Sequence, residues 1–337
     1  MDRASFIAHR LVQMVPVAIG VTVLVFFMIH LVPGDPARTM LGVHASPARV
    51  AALHRQWGLD KPLPVQYGLY LWHLVHGDMG QSIQTHDDVS HDLGVFVPAT
   101  MELAILSVFI GGVVGVTFGV FAGLYRNRIA DHVLRVASLA GISMPTFWIA
   151  LVAVYVFFFR LGWFPSGGRL DAGQSPPPHA TGLYTVDSLL AGKWSLFWSS
   201  LHHVLLPALV LAAFSVGLLT RYTRSAVLEV IGNDYIRAAR AKGLDERVVV
   251  VRHILRAALP SVVTVIGLVF ASTLTGAILV EHIFGWPGMG QYAYQSATTL
   301  DLPAIMGTSM FVAAVYVTIN FVVDVLYGVI DPRVRVT

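Results

Sequence analysis

The sequence predicts an all-α integral membrane protein with six transmembrane helices, on three observations. Of 337 residues, 55% are hydrophobic and only 12% charged, whereas soluble domains carry roughly 25% charged residues; mean hydropathy is +0.69. Six runs without Asp, Glu, Lys or Arg are long enough to cross a bilayer, for which about 17–25 apolar residues suffice: Leu11–Val32, Leu103–Leu124, Val136–Phe159, Val204–Thr220, Ala257–Val280 and Leu302–Val323. The third observation is the placement of lysine and arginine, which concentrates on cytoplasmic loops. With the N-terminus inside, Arg3, Arg10, Arg126, Arg128, Arg135, Arg221, Arg224, Arg237, Arg240, Lys242, Arg247, Arg252, Arg256, Arg333 and Arg335 are cytoplasmic, 15 of 22. Both termini are therefore expected inside.

Taken in order, the first run has too long an apolar core for a signal peptide, lacks a small-residue cleavage site, and reads as a retained helix. An outer segment of about 65 residues follows. Ser46 as N-cap, Pro47 at the first helical position and Gly58 as stop predict a helix there; the remainder, through Asp60-Lys61-Pro62 and His76-Gly77-Asp78, reads as turn-rich. The second run carries Gly111, Gly115, Gly119 and Gly123, spaced by four. On a helix this makes a groove that lets another backbone approach, either within one subunit or at a moving or dimer interface. Pro145 and Pro207 should bend the third and fourth helices. The segment 160–202, with Ser166-Gly167-Gly168 and Ser175-Pro176-Pro177-Pro178, reads as an irregular loop with one short helix. The fourth run is the shortest, and the outer segment 281–301 has no lysine or arginine.

The inner stretch 221–256 is far longer than a turn requires. Asn233 can cap a helix and Asp234 suits its positive end, while Arg240 and Lys242 suit the negative end and Gly243 a left-handed stop. Ala238, Ala239 and Ala241 leave a low surface that another protein can approach. Asp245 then opens a second helix leading through His253 to the fifth span. An ordinary basic loop is the plainer reading, but its length and capped layout favour a docking element.

At these residues, Asp234-Tyr235-Ile236-Arg237-Ala238-Ala239-Arg240-Ala241-Lys242-Gly243-Leu244, the chain resembles the inner "EAA" loop of ABC-importer permeases, in the form found in the dipeptide, oligopeptide and nickel group. Arg237 stands at the family's acidic first position, and the proline of Ala258-Leu259-Pro260-Ser261 falls one residue early. The resemblance extends through His30-Leu31-Val32-Pro33-Gly34-Asp35-Pro36, Gly58-Leu59-Asp60-Lys61-Pro62, His76-Gly77-Asp78-Met79-Gly80, Ser143-Met144-Pro145-Thr146-Phe147-Trp148, Gly162-Trp163-Phe164-Pro165, Ile283-Phe284-Gly285-Trp286-Pro287-Gly288-Met289-Gly290 and Asp331-Pro332-Arg333-Val334-Arg335. It implies the B-type permease subunit of a peptide importer, with a type I fold and a bacterial inner-membrane location. Residues 1–95 would hold the first helix and outer segment, 96–328 the permease domain, and 329–337 a cytoplasmic tail. It further implies a homologous second permease, two ATPase subunits binding ATP and Mg, an extracytoplasmic solute-binding protein, and a peptide substrate. Nickel chelates or glutathione are the alternative cargo; a non-ABC channel or scaffold is the alternative class.

Other chemistry finds little support. No G-x-x-x-x-G-K-[ST] loop occurs, so no phosphate cradle is expected in this chain. With no cysteine, disulfides and thiolate sites are excluded. A net charge of +3 gives no reason to expect nucleic acid. Neither an H-E-x-x-H motif nor an embedded nucleophile–base pair appears, so no catalysis is expected. His86, Asp87, Asp88, His91 and Asp92, with His73 and His76, could ligate nickel or zinc, though a solvated polar loop reads the same way. Glu102, Asp324 and His30 sit near span ends, as structural anchors or along a pathway.

Overall fold

The computed structural model describes residues 3–31, 35–41 and 45–330. The motif around Val32-Pro33-Gly34 and the Asp331–Arg335 tail motif therefore lie wholly or partly outside the described residues. The end where the arginines gather is termed the inner end.

Helix α1 (Arg3–Leu31) is followed by three short helices of the outer segment, α2 (Pro36–Leu41), α3 (Pro47–Trp57) and α4 (Leu63–Val75). The α3 reading holds in detail: the Ser46 hydroxyl accepts from the Arg49 N–H, and Gly58 is left-handed at φ 60°. Helix α4 corrects the turn-rich reading of its segment.

Helix α5 (Val89–Leu124) begins well before the predicted Leu103, and α9 (Trp194–Ile231) is a continuous helix of 38 residues with Pro207 inside it, not the shortest span. An uncharged apolar run marks only the middle of a long helix, so the polar turns carrying His91, Asp92, Ser199 and Arg224 fall outside it. The fifth span likewise runs unbroken from Glu246 to Ile283, as α11 (Glu246–Val248), a π-helical stretch Val249–Leu255 and α12 (Arg256–Ile283). The sixth is α14 (Leu302–Ile330).

The third span is not one helix. α6 (Ile129–Ser143) and α7 (Thr146–Ala153), which continues as a π-helical stretch Val154–Arg160, meet at 99°. The cause is Pro145. The residue before a proline is driven out of the helical region, and Met144 is extended at φ −78°, ψ 130°. The described residues thus hold five helices able to span a membrane, or six if the bent pair counts as one. Short helices α8 (Tyr184–Leu190) and α13 (Met289–Thr299) close the outer end.

Candidate functional site

The inner loop folds as its capping residues dictate. Helix α10 (Asp234–Ala241) follows Asn233, whose side chain makes no capping bond; its carbonyl accepts from Ile236 N–H at 3.1 Å instead. At the other end the Gly243 N–H donates to Arg240 O at 3.0 Å and the Leu244 N–H to Ala239 O at 3.4 Å, with Gly243 at φ 75°. This is a Schellman stop, which satisfies carbonyls the helix would otherwise leave free. Asp245 caps the next helix by accepting from the Arg247 N–H at 3.3 Å.

The loop has two faces. Ile236 and Ala239 are buried, packed with Val227 and Val230 of α9 and with Val249 and Ile254 of the π-helical stretch. Asp234, Tyr235, Arg237, Ala238, Arg240, Ala241, Lys242, Gly243 and Leu244 are exposed. Ala239 therefore does not belong to the low docking surface expected of it; its small side chain lets α10 lie against its own chain. Asp234, Ala238 and Ala241 share an exposed face. Arg237 pairs with Asp234, and Arg240 with Glu246 at 2.6 Å. That hydrogen-bonded pairing pushes the Arg240 pKa above its usual value. Displacing α10 must displace the ends of α9 and α12, because the apolar cluster joins all three.

Behind the loop lies the glycine seam. A Cβ at Gly111 would stand 2.5 Å from Ser215 Cβ, at Gly115 2.8 Å from Leu219 Cβ, at Gly119 2.5 Å from Thr223 Cβ, and at Gly123 2.5 Å from Val227 Cγ1. The partners repeat every four residues as the glycines do, so α5 and α9 run side by side with only α9 contributing side chains to the seam. The groove is filled by this chain's own helix. Inner-end packing continues at Asp131, fully buried, whose carboxylate takes a bidentate pair from Arg224 at 2.7 and 2.9 Å. This clamps α6 to α9. Sequence reading missed it because the two residues lie 93 positions apart.

The outer end holds a second network that sequence reading largely missed. Buried Glu281 accepts from the Thr100 hydroxyl at 2.6 Å and from the Gln291 N–H at 3.0 Å, capping α13. Gly288 and Gly290 leave room for it: a Cβ there would meet its carboxylate at 2.5 and 2.8 Å. Trp286 Nε1–H donates to Ala99 O at 3.0 Å. Glu102 pairs with Arg169 at 2.6 Å and accepts from the Thr185 N–H and hydroxyl, both at 2.7 Å; the Arg169 guanidinium lies 3.4 Å from the Tyr184 ring centroid. Burial opposes ionisation of Asp187, but hydrogen bonds from the Thr181 hydroxyl and the Thr181, Gly182 and Ala180 N–H groups outweigh it and hold its pKa low. The tryptophan–glycine run and Glu102 were the readable signals.

Glu102 is thus an anchor. So are Asp324, paired with Arg10 at 3.3 Å, and His30, 3.1 Å from Gln66 Oε1. The outer histidine–aspartate cluster is dispersed: Asp92 turns inward to Thr85 and Tyr292 hydroxyls at 2.6 and 2.8 Å, and His73 pairs with Asp78 at 2.9 Å. Among the described residues no three such side chains converge on a metal position.

Helices long and apolar enough to cross a membrane, joined by a structured and exposed inner loop, define a multi-spanning membrane protein. The chain belongs to the family of binding-protein-dependent transport system inner membrane components, whose model matches residues 115–336; the N-terminal membrane-component model of such systems matches residues 3–104. It is 44% identical, over 98% of this chain and 97% of the relative, to a probable D,D-dipeptide transport system permease protein of Escherichia coli K12. A di/tripeptide transport system permease protein of Pseudomonas aeruginosa is 42% identical over 98% of both chains, and a dipeptide transport system permease protein of Alkalihalophilus pseudofirmus 40% identical over 98% of this chain and 99% of its own. A solved structure of the MetNI methionine ABC transporter, inward facing, aligns at TM-score 0.49 and 16% identity, covering 80% of this chain and 100% of that one. The protein is a multi-pass ABC-importer permease, a non-catalytic subunit.

Proposed function

We propose that the chain forms part of the translocation pathway for di- or oligopeptides in the inner membrane of a bacterium. It works with a homologous second permease and two ATPase subunits that bind ATP and Mg, and receives substrate from an extracytoplasmic binding protein. The peptide cargo is supported by what the relatives transport. The coupling role rests on one observation: α10 presents an exposed face while its buried face is packed onto the ends of α9 and α12. An ATPase cleft gripping residues 234–244 would move two spans at once. The Schellman stop at Gly243 fixes the angle at which that force enters. In this reading the termini and 221–256 face the cytoplasm, and 45–88 and 161–193 face outward.

The test is uptake by the assembled transporter in liposomes, with labelled dipeptide, glutathione and a nickel chelate offered separately. ATP-dependent accumulation of dipeptide is expected. Accumulation of only one of the others would replace the cargo, and ATP-independent flux would replace the coupled mechanism.

A further inference from the structure

Helix α4 has no charged residue between Leu63 and Val75, and it is apolar on two sides. One side, through Tyr67, Tyr70, Leu71 and Leu74, packs on Val25 and Phe26 of α1 and on Leu302 and Met306 of α14. Burial there pushes the Tyr70 phenol up to about 12. The opposite side carries Val65, Trp72 and Val75, with Trp72 64% and Val75 82% exposed. Apolar side chains on two opposite sides of one helix call for a core on one side and an apolar environment on the other, and no described residue covers this side.

Contacts with α1 fix the depth of α4. The Tyr67 and Thr22 hydroxyls lie 2.7 Å apart, and the Tyr67 and Tyr70 rings stand 5.4 and 5.8 Å from Phe26. α4 therefore crosses α1 at Phe26, inside the apolar stretch His9–Phe27. On that stretch Leu24 is 73% exposed, as a lipid-facing residue would be. Helix α3 of the same segment differs: its exposed face carries Arg49 and Arg55. The Trp72 ring lies against His76, tilted by 39° with centroids 4.1 Å apart, an apolar body with a polar neighbour, as aromatic residues at membrane surfaces present.

We propose that α4 is an interfacial helix set into the outer leaflet, with Val65, Trp72 and Val75 against lipid acyl chains and the Lys61 and Asp78 ends at headgroup level. Helices of this kind bury an apolar face about 5–10 Å into the headgroup–acyl boundary. The proposal rests on the membrane reading and is independent of the cargo.

The chain has no cysteine, so single nitroxide labels can be placed at Trp72→Cys, Val75→Cys, Leu24→Cys and Arg55→Cys. All four sites are exposed, so the fold should survive. The labelled full-length chain, purified with its partner subunits, is reconstituted in phosphatidylethanolamine–phosphatidylglycerol vesicles. Collision rates with oxygen and with a water-soluble nickel chelate are then compared. Labels at Trp72 and Val75 should collide with oxygen as often as the Leu24 label and be shielded from nickel, with the reverse at Arg55. Nickel access equal to that at Arg55 would place α4 in water, and shielding from both reagents would place a protein partner on it; either result overturns the proposal. If Leu24 itself were open to nickel, the membrane reading of the first span would fall instead.

Discussion

The outer network and the inner loop, at the two ends of the α5–α9 pair, are built on opposite plans. At the outer end the charges are buried and matched inside the chain: Glu102 with Arg169, and Glu281 with Thr100 and the start of α13. At the inner end, beyond the seam and the buried Asp131–Arg224 pair, α10 turns Ile236 and Ala239 inward and leaves Asp234, Tyr235, Arg237, Arg240 and Lys242 in solvent. A buried ion pair fixes one arrangement, because separating its members strands a charge in low dielectric. Exposed charges constrain the fold little and remain available to a partner. The outer network is thus specified by the chain itself, while the inner loop keeps a face open to the partner proposed for it.

That contrast can be broken from its rigid side first. Arg169→Met leaves Glu102 buried without its cation, a loss of about 3–5 kcal/mol, and should show as a large fall in melting temperature in detergent; an unchanged melt would remove the outer end's claim to rigidity. Gly119→Val should cost about 1–3 kcal/mol by wedging α5 from α9. Gly112→Ala, whose Cβ meets nothing within 4 Å, should be silent in the same melt. Gly243→Val meets no crowding either, so its effect is the left-handed backbone, about 1–2 kcal/mol. Since the strained residue sits at the stop of α10, peptide uptake should drop more than thermal stability does. Arg240→Ala removes a pair with both members exposed, worth at most about 1 kcal/mol, and its melt should match the parent protein's.

How much of this was legible in sequence depends on how local the determinant is. The α3 caps, the Gly243 stop, the Asp245 cap and the break at Pro145 are set by neighbouring residues, and all were readable. The glycine repeat announced a close approach but not its partner, since Ser215, Leu219, Thr223 and Val227 form no motif of their own. Ala239 was placed on the wrong face because three alanines in four residues carry no hydrophobic contrast to tell inside from outside. Helix α4 was lost between the turn signals Asp60-Lys61-Pro62 and His76-Gly77-Asp78 that bracket it, and nothing local to Glu281 announces the start of α13 that it caps.

The central claim is that an ATPase subunit seats on the exposed face of α10. Its most direct test is a single cysteine at Ala238, in the otherwise cysteine-free chain, carrying a short photo-cross-linker in transport-competent membranes. The account predicts an adduct with a subunit containing the G-x-x-x-x-G-K-[ST] loop, and none with that subunit from the same reagent at Arg55. Membranes that accumulate peptide normally while the Ala238 probe reaches only lipid or water would contradict it.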